Sequence, residues 1–138
     1  MAITQAICNS FKAELLGGFH DLDTDTLKVA LYTSSATLGA TTTAYSVTDE
    51  ISGTGYSAGG ATITGAVITS GSTSYIDFAD TDWSTATFTT RGAVIYNSSK
   101  SNRAIAVLDF GSDQTVGAGT FRIEWPAADA SNAIIRLA

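Results

Sequence analysis

The sequence predicts an all-β fold, an antiparallel β-sandwich of jelly-roll-like type with about nine short strands and one short N-terminal α-helix. Three observations carry this. Turn-forming clusters of Gly, Ser, Asn and Asp recur every ~8–12 residues, the rhythm of short strands in sandwiches and barrels. Residues 82–97 are dense in β-branched and aromatic side chains, which suit a pleated, half-buried surface, and contain one of the two tryptophans. Only one segment, residues 4–16, has the apolar spacing of a helix.

In that segment Ile7, Phe11 and Leu15 fall at i, i+4 and i+8 with Cys8 and Leu16 beside them. Thr4 is the expected N-cap. Gly17-Gly18 ends the helix, because glycine takes a left-handed turn without strain. Residues 1–18 are thus expected to form a helix that also serves as an interaction arm. Residues 19–25 read as a turn. Residues 26–33 read as a strand, with Leu27, Val29 and Leu31 alternating with Lys28, Ala30 and Tyr32.

Residues 34–44 are small and polar, a surface loop, and 45–51 a short strand or loop edge. Gly53, Gly55, Gly59 and Gly60 make 52–60 a loop of tight turns around Tyr56. Residues 61–69 and 74–78 are predicted strands joined in a hairpin across 70–73. Residues 84–90 and 92–97 are predicted as two strands meeting at Gly92. Residues 104–110 are apolar enough to be buried on both faces. A loop is expected over 111–119, then a half-buried strand with Phe121, Ile123 and Trp125 on one side. Pro126 ends it for want of an N–H, and 133–137 form the final strand.

The 138 residues fit a single domain, and the 44% hydrophobic content is enough for one core. Only 14% of residues are charged, below the ~25% usual in soluble domains. Such a surface is cheap to desolvate and suits coverage by neighbouring subunits. The net charge is −6 and the seven Lys and Arg are scattered, which argues against nucleic acid and against an anionic membrane. Cys8 is the lone cysteine, which excludes an intrachain disulfide and a Cys cluster for zinc. No basic segment leads into an apolar run, so no signal peptide is expected, and no run nears the ~18 apolar residues of a membrane span.

Candidate sites were weighed against plainer readings. Asp21, Asp23 and Asp25 open like a calcium loop, but an EF-hand needs Gly and Glu where Thr26 and Tyr32 stand. Asp77, Asp80 and Asp82 form a second acidic group that solvated turns explain as well. His20, the only histidine, has no neighbouring nitrogen or thiolate ligand in sequence and no Gly-x-Ser-x-Gly elbow to serve. Cys8 reads as a small core residue. The glycines of 52–60 lack the Gly-Lys-Ser/Thr ending of a phosphate loop. Asn97-Ser98-Ser99 matches a glycosylation acceptor, idle without secretion. Trp83, Tyr56, Tyr45 and Trp125 offer faces for sugar stacking, but fit core or interface anchors better. No enzyme, cofactor or metal is expected. The candidate interface residues are Ile7, Phe11 and Leu15 on the helix, with Tyr56, Trp83 and Arg91.

Several blocks occur in a telling order: Lys28-Val29-Ala30-Leu31-Tyr32, Glu50-Ile51-Ser52-Gly53-Thr54-Gly55-Tyr56-Ser57-Ala58-Gly59-Gly60, Phe78-Ala79-Asp80 with Trp83-Ser84, Arg91-Gly92-Ala93-Val94-Ile95-Tyr96-Asn97, Ala106-Val107-Leu108-Asp109-Phe110-Gly111, and Phe121 with Pro126 through Ile135. Over residues 26–138 the chain resembles a family of small structural proteins of tailed bacteriophages, including phages of cyanobacteria. The resemblance implies a virion protein made in the host bacterial cytoplasm. It implies most of all a capsid decoration, or cement, protein that binds the outer shell between capsomers. The partners it implies are the major capsid protein and further copies of the chain, a trimer among the options. A tail, neck or fibre-associated protein and a sugar-binding surface module are the alternative expectations.

Overall fold

The computed structural model describes residues 2–138. In chain order the elements are β1 (Ala6–Ile7), α1 (Asn9–Leu16), β2 (Leu27–Tyr32), β3 (Ala61–Thr62), β4 (Val67–Thr69), β5 (Ser74–Asp77), β6 (Thr81–Asn97), β7 (Arg103–Ile123) and β8 (Ile135–Leu137). They make two antiparallel sheets, ordered β1-β7-β6-β2-β3 and β4-β5-β8. This is the all-β sandwich class that the turn spacing predicts; jelly-roll connectivity does not follow from this order.

The long β6–β7 hairpin dominates the larger sheet. It turns through 98–102, where Ser101 and Asn102 have φ of 55° and 57°, and its ladder runs from Asn97 opposite Arg103 to Thr81 opposite Ile123. Near the turn, residues 92–97 and 104–108 are buried throughout, as their unbroken apolar runs require. Beyond Gly92 the burial of β6 alternates, with Trp83, Ala86, Phe88 and Thr90 inward and Ser84, Thr87 and Thr89 outward. The hairpin there is a two-stranded ribbon, half-buried on one face.

Three expectations need correction here. First, residues 82–97 lie in one continuous strand rather than two. Gly92 marks a register irregularity after Thr90, and a Cβ there would stand 2.6 Å from the Leu108 carbonyl oxygen and 2.9 Å from Ile3. Second, 111–119 is strand and not loop. Opposite it, β6 supplies a ladder of partners from Ala86 to Thr90, which extends the pairing through a glycine-rich sequence that propensity reads as coil. Third, the predicted strand 61–69 is split at Gly65 (φ 68°), so β3 joins the larger sheet and β4 the smaller. Of the two readings of residues 45–51, the loop edge holds, with an isolated bridge from Glu50 to Tyr32.

The N-terminal arm is corrected too. The helix starts at Asn9 with Cys8 as its N-cap, no side chain caps it, and Thr4 lies outside it. Residues 2–8 are stitched to the body instead: Thr4 N–H donates to Leu38 O, Ala6 and Ile7 pair with Val107 and Ala106, and Cys8 N–H donates to Ile105 O. The helix does end where expected, after Leu16, with Gly18 at φ 75°.

A single hydrophobic cluster spans both sheets. Phe78 and Trp125 meet edge to face at 5.5 Å, and the Trp125 indole donates to Ala79 O at 2.9 Å. The outer edge of β2 is closed by β3, by Ile51 N–H on Leu31 O, and by the Tyr56 hydroxyl, which accepts Leu31 N–H. Gly60 makes this approach possible: at φ 78° it leaves no room for a Cβ, which would overlap the Val29 carbonyl.

Two stability predictions follow from this packing. Gly60→Ala should cost at least ~3 kcal/mol in urea unfolding, because both the left-handed backbone and the clash oppose it, whereas Gly71→Ala, with ordinary φ and an ordinary contact to the Thr73 carbonyl oxygen at 3.4 Å, should stay within ~0.5 kcal/mol. Trp83→Ala, at a residue 5% exposed, should cost ~3–5 kcal/mol in the same measurement.

Candidate functional site

Three places concentrate polar or exposed apolar groups. The first lies beneath the glycine-rich segment. Glu50 accepts from the Tyr45 hydroxyl at 2.7 Å, the Tyr56 hydroxyl at 2.5 Å and Gly59 N–H at 2.8 Å. Tyr96 donates to Gly59 O at 2.6 Å and stacks on Tyr45 at 4.7 Å, while Tyr32 donates to Ser46 O at 2.6 Å. Burial, and next the hydrogen bond to the Glu50 carboxylate, push the phenols of Tyr45 and Tyr56 far up. These hydroxyls stay protonated donors, and the network fastens 45–60 onto β2 and β6.

The second place is the corner between α1 and the hairpin turn. His20 is buried between Phe11 (5.0 Å) and Phe19 (5.2 Å). Its Nε2 sits 2.9 Å from Glu14 Oε1, and its Nδ1 is 3.0 Å from Asn97 Nδ2. Asn97 also donates to Asp25 Oδ2 at 2.8 Å and accepts Ser99 N–H at 3.1 Å, which fixes its amide orientation. Nδ1 of His20 is therefore the acceptor and Nε2–H the donor. Arg103 closes the chain with Nε 2.8 Å and an Nη 2.7 Å from Glu14 Oε2.

Beside this corner opens the third place, an apolar groove of about 420 Å³ between the end of α1 and the smaller sheet. Leu15, Leu22, Ile68, Ile76, Ile135 and Leu137 line it, with His20 in its wall. Its rim is apolar, with Ile68 and Leu137 more than half exposed.

In these arrangements the polar side chains are held by one another. Both ring nitrogens of His20 are taken, and Glu14 and Glu50 hold multiple donors each. Cys8 is buried and burial pushes its thiol up to about 11, so it is no nucleophile at neutral pH. Among the described residues no group of three or more His, Cys, Asp or Glu is placed to hold a metal. The Asp21 and Asp25 carboxylates accept N–H groups of their own turn, from Asp23, Thr24 and Asp21. No helix among the described residues is long and apolar enough to cross a membrane.

The six candidate interface residues do not come together. Phe11 and Trp83 are core residues, 1% and 5% exposed, and cannot meet a partner from there. Tyr56 is half-buried with its hydroxyl spent on Glu50 and Leu31. Ile7 belongs to β1, and Arg91 stands 3.6 Å from Asp109 across the hairpin. Leu15 lines the groove, Ile7 lines a smaller hollow with Thr73 and Ile134, and the Arg91 side chain is 35% exposed. Sequence reasoning missed His20, Asn97 and the groove. The signal available for the first two was a lone histidine and an asparagine at the end of a buried strand, but 77 residues separate them.

No protein-family model, curated protein or solved structure matches the chain. The likeness to phage structural proteins therefore rests on the sequence blocks alone.

The corner network sets an acid response. Burial works against the Glu14 charge, but the bonds from His20 and Arg103 outweigh it and hold Glu14 below its ordinary 4.5. Asp25 behaves alike: burial opposes its charge, and Asn97, Asp21 N–H and Lys100 hold it below 3.8. A depressed folded pKa stabilises above the unfolded value and loses that contribution as pH falls through the folded one. Urea midpoints should thus drop as pH falls below about 4.5, and Glu14→Gln should flatten that limb while lowering stability at pH 7. Asn97→Ala, which strips partners from His20 and Asp25, should cost ~1–3 kcal/mol by the same assay.

Proposed function

We propose that this chain is a non-catalytic structural protein of a tailed-phage virion, placed on the outer capsid shell as a decoration protein. Its partners in this reading are the major capsid protein and further copies of itself. The observation that carries the reading is the outward face of the β6–β7 ribbon. Ser84, Thr85, Thr87, Thr89, Thr115 and Thr120 are all exposed there, a hydroxyl-rich surface with few charges, among them the Asp82–Arg122 pair and Asp113.

Such a face loses little on desolvation and offers many weak hydrogen bonds. Contacts of that kind become strong when a lattice repeats them and copies are linked. The ordered sequence blocks support a phage origin, and the occupied state of Glu50, Glu14 and His20 supports a role without chemistry. The sugar-binding alternative loses ground, because Trp83 and Trp125 are buried and the Tyr45 and Tyr56 hydroxyls are engaged.

Quantitative mass spectrometry of purified particles tests the reading. Hundreds of copies per particle are expected, with saturable rebinding of purified chain to stripped shells. A handful of copies moves the protein to the tail or neck, and its absence from particles overturns the proposal.

A further inference from the structure

Strand β7 has a free edge. β1 covers it only at Ala106 and Val107, and the Gln5 side chain accepts Asp109 N–H at 3.2 Å. Over residues 112–123 that side of the backbone has no partner among the described residues, while the opposite side pairs with β6. Monomeric proteins blunt such edges with lysine and other charges, proline or bulges. Residues 112–123 contain no lysine or proline, and only two charged side chains, Asp113 and Arg122, and one bulge interrupt the edge.

The side-chain pattern along this edge changes phase once. Asp113 and Thr115 are exposed, with Gln114 and Val116 half-buried between and after them; farther on, Thr120 and Arg122 are exposed, with Gly119 and Phe121 half-buried. The change falls at a bulge where Thr87 of β6 stands opposite both Gly117 and Ala118, and Ala118 has φ 51°. An antiparallel partner strand must match faces, since a slip of one residue turns every side chain over. For a second copy of the same strand spanning the bulge, matching faces requires a two-fold axis between two residues rather than on one, and an axis between Gly117 and Ala118 centres the pairing on the bulge.

That register has a consequence in charge. It sets Thr115 opposite Thr120, Gln114 opposite Phe121, and Asp113 opposite Arg122, each twice. The two charged residues of the edge thereby meet as opposites. Arg122 can accept the addition: Nε and Nη2 hold Asp82 at 2.7 and 2.9 Å, and Nη1 has no partner among the described residues. We propose that two copies of this chain pair along β7 in this register, forming a continuous four-stranded ribbon from two hairpins. The pairing gives the self-association of the reading above a surface, but it rests on the β7 edge alone and does not need the shell.

A strand-to-strand contact of this length is a small interface, so association belongs in the micromolar range. Sedimentation equilibrium of the full chain should show a monomer–dimer equilibrium there. Asp113→Arg, at an exposed residue, should weaken it about tenfold, since two facing like-charge pairs replace two opposite ones. Thr115→Cys chains mixed with Thr120→Cys chains should oxidise to a disulfide-linked dimer. Either variant alone should not, because its two cysteines would lie about 17 Å apart along the paired strands. Cys8, buried, does not compete. A wild-type chain monomeric throughout the micromolar range overturns the proposal, and so does cross-linking that is no better in the mixture than in a single variant. Because sedimentation reads the free chain, failure here leaves shell binding to be judged separately, and the reverse.

Discussion

The ladder between β6 and β7 is the interaction on which the rest of this molecule depends. Its two halves do different work. Near the turn both strands are buried on both faces, and β1 and β2 attach only there. The core cluster grows around that half. The other half runs out as a ribbon, and a two-stranded ribbon alone is marginal in water. It is held by an aromatic cluster in which Phe121 lies 5.9 Å from Trp83 and 5.5 Å from Phe88, with Tyr56 of the glycine-rich segment packed against Trp83 and Phe88.

Two polar networks close the structure where loops cross the sheet. Glu50 gathers three donors, and the Glu14–His20–Asn97–Asp25 chain links α1, the following turn and the end of β6. Buried polar groups cost stability when unpaired and specify one arrangement when fully paired. Here the ionisable groups that sequence alone would offer to catalysis are consumed in that task. The same accounting explains why the outward ribbon face, rather than any cleft of reactive groups, carries the functional reading.

The strand content was legible because β-branched and aromatic residues mark 27–32 and 82–97 with little ambiguity. The helix end was legible at Gly17-Gly18. Its start was not, because Ile7 continues the helical spacing while its backbone is claimed by Val107 and Ala106, a contact no local pattern encodes. The strand through Gly111, Gly117 and Gly119 was hidden for a similar reason: pairing with β6 overrides poor local propensity. Phe11 and Trp83 qualify as interface candidates from sequence because periodicity shows that a side chain is apolar, not what covers it; in the fold both are covered by the core. The groove joins α1 to β4, β5 and β8, and depends on how distant elements pack.

The pairing of Ala6 with Val107 also bears on how the chain reaches this state. The first strand cannot find its neighbour until most of the polypeptide has been made, and β5 likewise waits for β8. Contacts so far apart in sequence demand loop closure before they return any stabilisation, which places folding among slow, high-contact-order β proteins. During synthesis the β2–β3 and β4–β5 pairs are made before the hairpin, and the β6–β7 ladder then joins β2 to the centre of the larger sheet. The N-terminal residues can add to the larger sheet only once Ala106 and Val107 exist, which closes the edge of a sheet whose centre is the hairpin.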